Sequence, residues 1–267
     1  QGDLGPQRLT EVENRLSGAM DLARKHHIKP QELVGFHQTI AQELESISNN
    51  SSRLEQLEGE IEHALEDYQN ASEQLSASRH QYANTLNGLI SESMANLSME
   101  NGVFEIALTA QNDRDPNSLG FDNVSFLVST NPGQPLQPLA KVASGGELSR
   151  ISLAIQVIIA QKVTTPTLIF DEVDVGISGP TAAAVGKLLR QLGKSTQVIC
   201  VTHLPQVASS AHQQFFVAKE IADGETFTHM LALNKDGRVN EIARLLGGDN
   251  ISKTAKANAK ELIKAHG

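Results

Sequence analysis

Eight apolar or aromatic residues recur at steps of seven along one stretch of this chain: Ile40, Ile47, Leu54, Ile61, Tyr68, Leu75, Tyr82 and Leu89. Such an unbroken row folds as one long helix with a stripe that seeks a second helix, because every seventh residue returns to nearly the same face. The companion positions Leu44, Ser51, Glu58, Leu65, Ser72, Arg79 and Leu86 mix apolar and polar types. The pattern therefore predicts a coiled-coil seam that is weak alone and needs a partner strand. At about 1.5 Å per residue, fifty such residues reach roughly 75 Å. The competing reading, a helix of a globular bundle, is rarely so long. Ahead of this stretch, residues 7–28 read as a first helix carrying Leu9, Val12, Leu16, Met20 and Leu22. Ile28-Lys29-Pro30 interrupts it, since a proline disfavours helix at the residue before it.

Past about residue 99 the period changes. Residues 103–108 and 124–128 read as strands, separated by a turn-rich loop at 112–118. Helix, strand, helix and strand then alternate at about 145–162, 167–171, 180–193 and 197–202. Continuous apolar strands alternating with helices indicate α/β architecture with a mainly parallel sheet. Strands near 214–219 and 226–233 read as antiparallel and edge-like, and helices at about 238–246 and 252–265 follow. The expected organisation is a helical arm over residues 1–98 and an α/β lobe over residues 99–267.

The 267 residues carry a formal net charge of -9, unevenly spread. Residues 1–98 hold 15 acidic and 7 basic side chains, and residues 99–267 hold 16 and 15. Neither part has the basic excess of a dedicated DNA-binding surface, so a nucleic-acid role needs a local patch or a segment outside this sequence. The single Cys200 excludes an internal disulfide. It sits in the apolar run Val198-Ile199-Cys200-Val201 and reads as a buried, inert thiol. No stretch is long and apolar enough to cross a bilayer, and no secretory leader precedes the first helix, so the cytoplasm is the expected compartment and no membrane partner is expected. The opening Gln1-Gly2-Asp3-Leu4-Gly5-Pro6, without Met, reads as an engineered or processed fragment.

Chemistry concentrates in three short segments. In Lys141-Val142-Ala143-Ser144-Gly145-Gly146-Glu147-Leu148-Ser149-Arg150, a hydroxyl residue and two glycines open a helix. That leaves backbone N–H groups free at the positive end of a helix dipole, a corner suited to phosphate oxygens. Twenty-seven positions after Ser144, an apolar strand ends in Asp171-Glu172. Ligand sites of open α/β sheets lie at such strand ends. Mg²⁺ takes one or two carboxylates with water and phosphate oxygens, which makes Asp171 a candidate Mg²⁺ contact through water. Glu172 is then the candidate base that orients an attacking water. Thirty-two positions after Asp171, a second apolar strand ends at His203. Each segment alone has a bland reading: a helix-opening turn, a solvated strand end, a structural histidine. No G-x-x-x-x-G-K-[ST] phosphate loop occurs in the sequence.

Together the three segments resemble the signature motif, Walker B motif and switch histidine of the ABC ATPase superfamily. The runs Val142 to Arg150, Asp171-Glu172-Val173-Asp174-Val175-Gly176-Ile177-Ser178-Gly179 and Thr202-His203-Leu204-Pro205-Gln206-Val207-Ala208, behind a heptad helix, are similar to the SMC-like, DNA-repair branch. Ala143 and Glu147 stand where the superfamily consensus has Leu and often Gln, and Glu147 departs from the transporter form, which favours that branch. The resemblance implies that Ser144, Gly145, Gly146, Glu147 and Asp174 contact ATP held by an opposing subunit. It implies that Asp171 serves Mg²⁺, that Glu172 and His203 serve hydrolysis, and that residues 173–179 form the D-loop. It further implies an N-terminal lobe of the same protein carrying the Walker A loop, with residues 31–95 as the returning strand of an arm. A homodimer of ATP-sandwiched heads, action on DNA in double-strand-break repair, and a nucleoid location follow from the same resemblance. The chain alone is then expected to be inactive. The other readings are an ABC transporter nucleotide domain and a non-catalytic coiled-coil adaptor with a degenerate ATPase lobe.

Overall fold

The computed structural model describes residues 5–160 and 162–267. The reading of residues 1–4 as a fragment's start, and residue 161 within the expected helix 145–162, lie outside the described residues. The chain divides into two compact units, Gln1–Ala71 and Ser72–Gly267.

In the first unit, α1 spans Pro6–Lys25 and begins with proline, whose fixed φ suits the first helical turn. A short 3-10 turn at Pro30–Glu32 follows, and the Glu32 carboxylate accepts from the Lys29 N–H at 2.8 Å. This turn starts α2, a 63-residue helix over Leu33–Ala95 that continues into the second unit. The heptad residues Ile40, Ile47, Leu54 and Ile61 are all exposed. Further along, Leu75, Tyr82 and Leu89 are exposed as well. Tyr68 alone of the eight is half-buried, so the seven-step row is a largely uncovered stripe.

The companion row behaves differently within the second unit. Ser72 is buried, Arg79 is half-buried and Leu86 packs on the core, and beside this row Ala83, Ile90 and Met94 are buried. This face of α2 lies against an antiparallel sheet of β1 (Val103–Ala110), β2 (Asp122–Ser129) and β3 (Gln137–Pro138), in the order β1-β2-β3. Two helix side chains serve the free edge of β1: Asn87 Oδ1 accepts from the Ile106 N–H at 2.8 Å, and Ser91 Oγ from the Phe104 N–H at 2.9 Å. The spacings match, because four helical residues rise about 6 Å and two strand residues about 6.6 Å. Arg79 adds an ion pair to the buried Asp122 carboxylate at 3.1 Å and a bond to the Leu119 carbonyl at 2.8 Å.

The helix–strand alternation read from sequence is realised as α3 (Gly145–Ile159), β4 (Thr167–Phe170), α4 (Gly179–Leu192) and β5 (Gln197–Cys200). Strands β4 and β5 pair in parallel, Thr167 opposite Gln197 and Phe170 opposite Cys200. Parallel pairing among the described residues is confined to these two strands, which helix α4 joins as a crossover. The other long pair, β6 (Phe215–Ala222) and β7 (Glu225–Ala232), turns through Asp223-Gly224. Both turn residues have positive φ, the geometry of a tight antiparallel hairpin.

Leu168 and Val198 on one face of β4–β5 join a core with Phe104, Val128, Ile151, Leu153, Val173 and Val185. Ile169, Ile199 and Val201 point the other way and are exposed, Ile169 to 70%. A second, smaller core joins the four-residue α5 (Pro205–Ala208), α6 (Lys235–Gly247) and α7 (Lys253–Lys264) through Ile242, Ala243 and Ala259. Among the described residues, no helix is long and apolar enough to cross a membrane.

Candidate functional site

Helix α3 is opened by Ser144, an extended residue whose hydroxyl oxygen accepts the Glu147 N–H at 3.2 Å. This bond satisfies one of the orphan donors of the first turn, and the hydroxyl keeps its own proton for another acceptor. Two glycines follow because two segments crowd the turn. A Cβ on Gly146 would lie 2.9 Å from the Val175 carbonyl oxygen and 3.0 Å from Arg150 Nη1. A Cβ on Gly145 would collide with the carboxylate oxygen of Glu172. The helix-opening corner and the strand-end carboxylate are thus in van der Waals contact within one chain.

The end of β4 is built to project Glu172. The Asp171 Oδ1 accepts the Glu172 N–H at 2.9 Å, and Ser149 Oγ donates to the Asp171 carbonyl at 2.7 Å. Glu172 itself has φ of 61°, the left-handed region that side-chain-bearing residues rarely occupy. Such conformations persist where the surroundings over-determine them and cluster at functional sites. Both carboxylates are exposed. Asp171 has one oxygen committed to the backbone and the other uncommitted, a donor set that fits a divalent cation otherwise held by water and phosphate.

Asp174 is 3% exposed, and its Oδ2 gathers the Thr202-His203-Leu204 segment. It accepts from Thr202 Oγ1 at 2.5 Å and from the His203 N–H at 3.0 Å, and lies 3.3 Å from His203 Nδ1. Thr202 Oγ1 in turn accepts the Leu204 N–H at 3.1 Å. The imidazole is 71% exposed, so its far nitrogen faces solvent while its near one is held. Asp174 is thereby committed within its own chain.

Arg150 supplies the remaining connection. It is 4% exposed and its Nη1 donates to the carbonyls of Val173 at 3.3 Å and Val175 at 2.7 Å. Burial pulls its guanidinium below the usual arginine value, against the neighbouring charges of Glu147 and Asp174. The structure therefore brings Ser144, Gly145, Gly146 and Glu147 to Asp171 and Glu172, and joins Asp174 to His203. Sequence reasoning gave no role to Arg150, Ser149 or Thr202. Two had a local signal: Arg150 is an arginine in the first turns of a largely apolar helix, and Thr202 is a hydroxyl beside His203; Ser149, 22 positions before Asp171, had none.

Beside Asp174, the Cys200 thiol is pushed up to about 12, chiefly by burial and further by Asp174 and Asp171. Among the described residues no cluster of three or more His, Cys, Asp or Glu side chains is arranged to hold a metal by itself.

No family model matches the chain. It is 56% identical over 263 residues to a protein of Vibrio cholerae named DNA repair protein RecN, covering 98% of this chain and 47% of that one. Proteins of the same name from Haemophilus influenzae and Bacillus subtilis are 50% and 35% identical, over 97% and 98% of this chain and 46% and 48% of theirs. The chain thus spans about half the length of the curated relatives it matches. Its fold is similar to the Smc head domain with coiled coil and joint derived from Pyrococcus yayanosii. That match has a TM-score of 0.54 and 20% identity, and covers 90% of this chain and 43% of that one.

Proposed function

On the premise that the chain belongs to the RecN family, we propose that it is the C-terminal half of an SMC-like ATPase acting in DNA repair. It contributes one side of a composite ATP site and depends on a second lobe for the phosphate-cradling loop. The observation that carries this reading is the meeting of the α3 opening, the Asp171-Glu172 strand end and the Asp174-held His203 in one compact unit.

The donor set fits a magnesium nucleotide, which when bound supplies the phosphoanhydride bond and a charge-neutralising cation. Asp171, with one oxygen uncommitted, is the residue that would hold the cation, through water. Glu172 orients a water and accepts its proton as the terminal phosphoryl group departs, while His203 offers its outward nitrogen to that group's oxygens. Ser144 and the N–H groups behind it serve the nucleotide of a second copy, so two heads close on ATP between them. The buried Asp174 acts on this chemistry through His203.

The uncovered face of β4–β5 supports the dependence on another lobe. Parallel strands are ordinarily covered on both faces, and here Ile169, Ile199 and Val201 are not. The test is hydrolysis by the purified chain against hydrolysis after co-expression with the remaining half. The isolated chain should turn over little ATP with Mg²⁺ present, and the reunited halves should hydrolyse it. Robust metal-dependent turnover by the chain alone overturns the half-site reading.

A further inference from the structure

The charge of this chain is locally inverted. Residues 175–219 contain no Asp or Glu, although the whole chain carries -9. Within that stretch Lys187, Arg190 and Lys194 fall three and four positions apart and so share one face of α4 and its extension. The opposite face, with Ala182, Val185, Leu189 and Leu192, is buried in the core. The three cations line an open groove with His212 and with His266 from the turn that ends α7. No acidic side chain lines this groove, and among the described residues none of the five has an ion pair.

We propose that this groove holds the phosphate backbone of duplex DNA, an assignment that rests on the reading of the chain as part of a DNA-repair ATPase.

Three observations favour that occupant. First, one of the positive groups is held rather than loose: Arg190 donates to the Ser210 carbonyl at 2.9 Å, a neutral acceptor that fixes the guanidinium without cancelling its charge. Second, the local field is positive enough to act on a neighbour. Burial first, then the guanidiniums of Arg190 and Arg238, hold the His266 imidazole below the usual histidine value. Third, no Phe or Tyr lines the groove. Single strands are ordinarily gripped by stacking bases on aromatic rings, whereas duplex backbones need only spaced cations and polar groups. The same lack of large apolar side chains leaves nothing to insert into a lipid surface.

The test uses the full-length protein carrying Lys187→Gln and Lys194→Gln together, both at exposed positions outside the ATP machinery. A short labelled duplex is titrated by fluorescence anisotropy at several salt concentrations. Each lost phosphate contact should lower the slope of log affinity against log salt by about 0.9, so the double variant should lose about 2 and bind every sequence more weakly. Basal ATP hydrolysis and thermal unfolding should match the parent. Charge reversal at the same two positions should weaken binding further. An unchanged slope and affinity overturn the groove assignment while leaving the ATPase reading intact. Unchanged duplex binding with weakened self-association also overturns it and reassigns the groove to an acidic protein surface. Loss of basal hydrolysis in a normally folded variant overturns it too, because the lysines would then act through the ATP site. A parent protein that hydrolyses no ATP defeats the functional reading separately, and the anisotropy titration still reports on the groove.

Discussion

Asp174 and His203, 29 positions apart, are joined twice by one carboxylate oxygen: 3.0 Å to the backbone N–H and 3.3 Å to Nδ1 of the ring. One oxygen thus fixes both where the histidine sits in the chain and which nitrogen it turns outward. Asp174→Asn keeps the volume but loses the charge that strengthens those bonds. Bonds to a charged group are worth about 1.5–3 kcal/mol, so turnover by the full-length enzyme should fall roughly 10- to 150-fold. ATP affinity should change little. A variant with parental kcat shows that His203 does not need this anchor.

Glu172→Gln should retain ATP binding and lose hydrolysis. The amide keeps the shape and removes the proton acceptor, and such losses are on the order of 10²–10⁴-fold. Single-turnover kinetics with the full-length enzyme separate the two steps. Turnover equal to the parent's removes Glu172 from the role of base.

Ser144→Arg should abolish ATP-dependent association of heads while leaving the fold intact, since the position is exposed at the start of α3. The long side chain fills the corner a phosphate must enter, and its positive charge opposes the helix N-terminus. Size-exclusion chromatography of the full-length protein with Glu172→Gln, with and without Ser144→Arg, reads the difference. Equal dimer in both identifies the segment as an ordinary helix-opening turn.

Arg150→Met removes the donor that serves the Val173 and Val175 carbonyls, without a large change of volume. Leaving buried acceptors unpaired should cost about 2–4 kcal/mol, read as a lower urea midpoint. Arg150→Lys should recover only part, because a single ammonium replaces a planar fork. Full stability in Arg150→Met would mean that water takes over both carbonyls.

Cys200 should resist alkylation at pH 8 in the folded protein and react once urea is added. With its ionisation pushed up to about 12, roughly 10⁻⁴ of the thiol is thiolate at that pH. The unfolded chain gives up this proton first, near pH 8.5. The stability tied to it is therefore complete below that pH and declines as pH rises toward the folded value. Rapid labelling of the native protein would place the thiol in solvent.

The alternation of β4, α4 and β5, the antiparallel strands β6 and β7 and the charged strand ends could be read from sequence because each depends on local period, whereas the tight turn at Asp223-Gly224 was not read. The heptad row was legible as a stripe, and the stripe is exposed. What the period concealed was the value of its polar companions. Ser72 and Arg79, which weaken a coiled-coil seam, are the side chains that turn toward β1–β2, and Arg79 reaches Asp122 across 43 positions. Likewise Asp171, Glu172 and His203 stand at strand ends as their spacing predicts, but no local pattern reveals which carbonyl a buried Arg150 will meet. Asp174 shows the same limit: its neighbours in sequence resemble a loop aimed at another subunit, while its carboxylate is used by residues a full βα unit away.

The left-handed backbone at Glu172 sets selection against conformation at a single position. Any residue with a Cβ holds that turn at a disadvantage of about 1 kcal/mol relative to glycine. If Glu172 is the base proposed above, glycine there should therefore give a more stable but inert protein. In a lineage relieved of the need for hydrolysis, nothing would oppose that drift, and this carboxylate should be among the first features of the site to disappear.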